Sequence, residues 1–246
     1  MTSSTAGHRA PAPPRAAHDL GTAAGPSTLA DGDTASRDAG PGDTSAGASR
    51  TAAVVPSMYR SALGPTAFAR LHPALQRFHA LQGHVRLHGQ VTTAPPAGIA
   101  ARLLGRWLGT PLAARTGPVA FVLQAGPQEE HWTRHFPGRT MRSRLRLQAD
   151  GHVVERLGPA RLVFRLHESG GGLAMQLQSL HFFGVPCPGW LRPRVVAEER
   201  GTDAAAGAPG AEGARLHFDV RASVPGMGAV AGYRGWLDLA TAEVLR

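Results

Sequence analysis

Large apolar residues are scarce at the start of this chain and then return with two successive periodicities. Residues 1–52 are built from Ala, Gly, Ser, Thr, Pro and Asp, with Leu20 and Leu29 as their only large aliphatic side chains. Such a stretch buries too little apolar surface to offset the entropy of ordering it, so a disordered tail is expected over 1–52 and a single β-rich domain over 53–246. From Met58 the apolar spacing is helical. Pro73, then Leu75, Phe78 and Leu81, then Gly83, predict a short helix with proline in its first turn and glycine past its end. Pro95-Pro96 closes a first strand at His84–Val91. The segment 97–108 then places Ile99, Leu103, Trp107, Leu104 and Leu108 on one helical face, with Arg102 and Arg106 beside it.

From Val119 the period is two. Strands are predicted at Val119–Gln124, Glu130–Phe136, Thr140–Gln148, His152–Leu157, Arg161–His167 and Leu173–Leu180, and later at Arg194–Arg200, Arg215–Val224 and Tyr233–Leu239. Asp150-Gly151 is a hairpin signal, and Gly226, Gly228 and Gly232 suggest a bent or bulged strand. Regular short strands at this spacing predict an α+β domain: a curved, mostly antiparallel sheet of about ten strands, half-open and barrel-like, with one to three short helices near its N-terminus.

Composition qualifies the charge more than the fold. Every one of the 26 basic residues is Arg, there is no Asn, and Ile99 is the single Ile, a bias expected of a genome poor in A/T-rich codons. The net charge of +9 is therefore a weak argument for nucleic acid, and no recognition-helix motif supports it. Position says more: between His131 and Glu168 stand eight Arg against Asp150, Glu155 and Glu168. Residues 1–30 lack the apolar core of a secretory signal, and Cys187 is the only cysteine, so a cytoplasmic protein without disulfides is expected. Met58 is a candidate start of translation.

The richest chemistry lies in Glu130–Phe136 and Arg139–Arg146. Trp132, Arg134 and Phe136 share one side of a strand, and Met141, Ser143 and Leu145 share one side of the next, opposite Arg142, Arg144 and Arg146. A guanidinium fork pairs bidentately with carboxylate or phosphate. Trp132, Arg134, Arg139, Ser143 and Arg144 are accordingly the candidate ligand-binding residues, weighed against a solvated face of arginines. His131 and His135 have a zinc spacing only on a helix, and this segment reads as a strand. No metal, cofactor or catalytic set is expected. Cys187 lacks a base partner, and His135, Glu130, His181 and Asp219 are the only acids or bases to name for an enzyme.

Four places carry a resemblance: Tyr59-Arg60 with Leu63-Gly64 and His72–Leu75; Arg102–Gly109; Glu130–Arg139 with Ser143; and Tyr233–Leu237. Through them the segment Met58–Leu239 resembles the bacterial family named domain of unknown function 4166. Met141 departs from it, since an aromatic is more usual there. The resemblance implies no activity. Some members look like appendages of dehydrogenase-like domains, but this chain has no glycine-rich dinucleotide fingerprint. Three function classes follow. The first is a non-enzymatic binding module for an amphipathic, lipid-like molecule with an anionic head. The second is an interaction domain docking on a partner oxidoreductase, and the third an enzyme acting on a bound lipid or isoprenoid. Residues 97–109 are a candidate for peripheral membrane contact, and nothing in the chain predicts a transmembrane segment.

Overall fold

The computed structural model describes residues 56–203 and 213–246, which belong to a compact unit spanning Thr51–Arg246. The tail expected at 1–52 and most of the 201–213 loop lie outside the described residues. Three short helices come first: α1 (Met58–Leu63), α2 (Pro65–Arg70) and α3 (Pro73–His79). The Ser57 hydroxyl accepts the Arg60 amide to cap α1, and His72 Nδ1 accepts the Ala74 amide to cap α3. Pro65 and Pro73 occupy first-turn positions, where a missing N–H costs nothing.

Eleven strands follow among the described residues. They are β1 (Gly83–Ala94), β2 (Arg115–Ala125), β3 (Glu129–Phe136), β4 (Arg139–Leu147), β5 (Val153–Leu157), β6 (Ala160–Ser169), β7 (Gly172–Phe182), β8 (Val185–Pro186), β9 (Arg194–Thr202), β10 (Arg215–Val224) and β11 (Gly228–Val244). A fourth helix, α4 (Ile99–Leu108), lies between β1 and β2. The strand order is β6-β5-β4-β3-β2-β1-β11-β10-β9-β7, and β7 pairs back to β6, so ten antiparallel strands close a barrel with β8 as an appendage on β7.

The barrel-like antiparallel sheet of about ten strands expected from sequence is present, closed rather than half-open, but one seam is thin. β7 meets β9 only at Leu173–Glu199 and Ala174–Glu198, whereas β6 and β7 pair along their whole length. From Met175 toward Phe182 the two strands run without backbone pairing to each other.

Chain direction sorts the two ends. β1 leaves α3 at the lower end and reaches α4 at the upper one, and the following strands alternate between them. At the lower end Met58, Tyr59, Phe68, Leu75 and Phe78 plug the barrel and join a continuous core with Leu87, Phe121, Trp132, Leu145 and Leu237. At the upper end a separate cluster of Ala101, Val224 and Val230 seats α4, with Leu104, Leu108 and Leu191 packed against it.

The inward face of α4 takes only part of the apolar face expected from sequence. Ala101 and Gly105 are the buried positions, with Leu104 and Leu108 packed inward beside them, while Ile99, Leu103 and Trp107 stay exposed. Small residues let the helix backbone approach the sheet: a methyl at Gly105 would stand 2.8 Å from the Thr110 hydroxyl and 3.3 Å from the Val230 carbonyl. Close seating on that strip leaves Ile99, Leu103 and Trp107 on the outer side of the helix.

Candidate functional site

Alternation along β3 and β4 turns Glu130, Trp132, Arg134 and Phe136, and Met141, Ser143 and Leu145, into the barrel. Trp132 stands opposite Ser143 and Arg134 opposite Met141, so the Arg134 side chain leans one rung down to meet Ser143. Its Nη1 donates to Ser143 Oγ at 3.1 Å, and its guanidinium lies 4.6 Å from the centre of the Trp132 ring. The nearest carboxylate to Nη2 is Glu155 at 4.0 Å, beyond hydrogen-bonding reach.

Beneath this pair lies a second polar layer supplied by the helices. Trp132 Nε1 donates to Glu130 Oε2 at 2.7 Å. His79, from α3, is 2.7 Å from Glu199 Oε2 on β9. The Tyr59 ring stacks on His79 with centroids 3.9 Å apart, and its buried hydroxyl has no hydrogen-bond partner among the described residues. Burial pushes the Glu130 carboxyl from 4.5 up to about 7, against the opposing pull of His79 and the Trp132 N–H. Burial also holds the Tyr59 and Tyr233 phenols above their usual range, Tyr59 further raised by the charges of Glu130, Glu199 and Glu155. Both phenols are therefore fixed as neutral, proton-bearing groups.

Above the floor formed by Trp132, Arg134, Glu155, Glu199 and Tyr233 opens an apolar cavity of about 280 Å³. That is near the lower limit of ligand sites, roughly 300–1,000 Å³. Leu145, Leu162, Phe164 and Met175 form walls, and Leu104, Leu108, Leu191 and Met227 reach it from the upper end. An extra residue in β7, at Gln178 between the pairs Phe164–Leu177 and Val163–Ser179, shifts the side-chain phase. Because of that bulge both Met175 and, further along, Leu180 and Phe182 turn toward the cavity. Met175, Val195, Ala197 and Glu198 border both this cavity and an outer groove of about 580 Å³, which makes the β7–β9 seam a thin wall between inside and outside.

Of the residues singled out from sequence, Trp132, Arg134 and Ser143 come together in the interior. Arg139 and Arg144 do not join them. Arg139 donates to the carbonyls of Gly109 at 3.3 Å and Arg106 at 2.9 Å, capping the C-terminal end of α4. Arg144 points outward, where Nη2 and Nε both meet the Glu129 carboxylate. Among the named acids and bases, Glu130 is inside. His135 is exposed beside Thr140, and Asp219 lies on the outer face against Arg221.

The sequence reading left out His79, Glu155, Glu199 and the two tyrosines. Tyr59 and Tyr233 are the chain's only tyrosines, and both had already stood in the segments that carried the family resemblance. His79 and Glu199 offered no signal, since their pairing joins positions 120 residues apart.

Fold and site together define a closed antiparallel β-barrel with helices at both ends and an apolar cavity above a polar floor. The family model described as "Domain of unknown function (DUF4166)" matches residues 71–237, and the chain belongs to that family. No curated protein matches the chain.

Proposed function

We propose that the barrel is a non-enzymatic binding module that holds one amphipathic small molecule, its tail in the cavity and its anionic head on Arg134. The observation that carries this reading is the state of Arg134: a guanidinium only 8% exposed at the base of an apolar chamber, with one hydrogen bond among the described residues and a loose ion pair to Glu155 at 4.0 Å. A buried cation is costly unless paired and hydrogen-bonded. An anionic head satisfies the unspent N–H donors, each such bond contributing about 1.5–3 kcal/mol. The surrounding carboxylates oppose this less than their number suggests. Glu199 is engaged by His79 and Glu130 is largely protonated below about pH 7, which leaves Glu155, 4.0 Å from Nη2, as the one carboxylate in direct competition.

The size of the cavity limits the tail. At about 30 Å³ per non-hydrogen atom, a volume of 280 Å³ holds on the order of ten atoms, which suits a medium-chain acid better than a whole phospholipid. Native mass spectrometry of gently purified protein tests the reading. A single adduct of small mass, released on unfolding, supports it. Protein that emerges without an adduct and gains none after incubation with medium-chain fatty acids refutes it.

A further inference from the structure

The upper end of the barrel carries most of the large apolar side chains that the fold leaves uncovered. On α4, Ile99, Leu103 and Trp107 follow at intervals of four and are 83%, 56% and 57% exposed. The β7–β9 connection adds Phe183, Val185 and Trp190 at 67%, 65% and 77%. These two groups form one patch. Trp107 packs 5.7 Å from the Phe183 ring and 6.0 Å from the Phe182 ring, and Leu191, next to Trp190, packs on the cluster that seats α4. Scattered apolar residues on a surface need no explanation, but a contiguous patch rich in aromatic residues marks a contact face.

Charge says what kind of contact. The segments that build this end, residues 94–128, 131–149, 156–167, 181–197 and 220–237, contain no Asp or Glu. Arg102, Arg106, Arg192 and Arg194 stand exposed around the patch. Tryptophan and phenylalanine amid aliphatic tips, ringed by arginine and free of acids, match the layer between lipid headgroups and acyl chains of an anionic bilayer. A second copy of the chain fits poorly, because a two-fold contact would set each arginine ring against its twin.

The position relative to the cavity adds a third argument. Leu104 and Leu108 of α4, Leu191 and Met227 line the upper cavity from beneath the same patch. The unpaired upper part of the β7–β9 seam leads into the connection that carries Trp190.

We infer that this rim docks on anionic membrane surfaces, so that the cavity exchanges its occupant directly with the bilayer. The docking stands on the patch and its charge; only the exchange rests on the cavity reading proposed above.

Co-sedimentation of the full chain with vesicles of phosphatidylcholine, with and without phosphatidylglycerol, tests it. Binding is expected to the phosphatidylglycerol vesicles and to weaken with salt. Combined Ile99→Ser, Leu103→Ser and Trp190→Ser is expected to weaken it at least about tenfold, as is combined Arg102→Gln, Arg106→Gln and Arg192→Gln. Brominated lipids should quench the tryptophan fluorescence of the unmodified protein, a readout independent of any variant. Arg134→Met separates the two ideas. It should bind vesicles like the unmodified chain, so a failed cavity ligand with intact docking sinks only the cavity reading. Three results overturn the docking proposal: folded protein that ignores phosphatidylglycerol vesicles, serine variants that bind undiminished, or a dimer that the serine substitutions dissolve.

Discussion

Glu130→Gln isolates the electrostatics of the interior. Glu130 is 2% exposed, and burial raises its carboxyl from 4.5 to about 7. In the unfolded chain it ionises at the ordinary value, so between about pH 4.5 and 7 the folded state binds more protons. Stability contributed by this group is thus fully present below the unfolded value and falls as pH rises through the folded one. The difference of about 2.5 units, at 1.36 kcal/mol per unit, gives a loss of about 3 kcal/mol by pH 8. Glutamine keeps an oxygen to accept the Trp132 N–H and cannot ionise. Urea denaturation of the two proteins from pH 4 to 9 measures the difference, in which titrating groups remote from Glu130 cancel. Near pH 4 the proteins should be within about 1 kcal/mol of each other, and by pH 8 Glu130→Gln should be the more stable by about 2–3 kcal/mol. Parallel pH profiles, or a glutamine variant weaker throughout, would refute the reasoning.

Two glycine substitutions form a contrasting pair. A methyl at Gly89 would collide with the Trp236 carbonyl on β11, so Gly89→Ala should cost about 3 kcal/mol or more in denaturant. Gly98→Ala, at the N-cap of α4 with nothing within 4 Å, should cost no more than about 1 kcal/mol. On the outer face Arg156 lies directly between Arg144 and Arg161 in register, a run of like charges. Arg156→Glu should raise the melting temperature, and the gain should shrink as salt is added, which differential scanning calorimetry reads directly.

Residues with a local signature were legible in the sequence. Alternation in β3 and β4 put Trp132, Arg134 and Ser143 on the inner faces, and proline and glycine bracketed α3 closely. Positions fixed by tertiary contact were not. α1 and α2 are single short turns broken at Gly64-Pro65, too brief to show a periodic face. The glycines at the start of β11 suggested a bent or bulged strand, and Val230, between Gly228 and Gly232, is an extra residue opposite the Ala222–Ser223 step. What they did not show is the tightest glycine requirement in that strand, at Gly235, where a methyl would strike the Gln90 carbonyl of β1. In α4 the expected face held for Leu104 and Leu108 but not for Ile99, Leu103 and Trp107, because the helix seats on Ala101 and Gly105, which act by their smallness. Closure itself depends on two residue pairs between β7 and β9, contacts that leave no pattern in either strand.

Isothermal titration of the protein and of Arg134→Met with decanoate tests the central claim most directly. Saturable one-to-one binding is expected, with a negative heat-capacity change from burial of the tail. The variant should lose about 2–3 kcal/mol, roughly 30- to 150-fold in Kd. Equal affinity in the two proteins, or no saturable binding of medium-chain carboxylates to either, would contradict it.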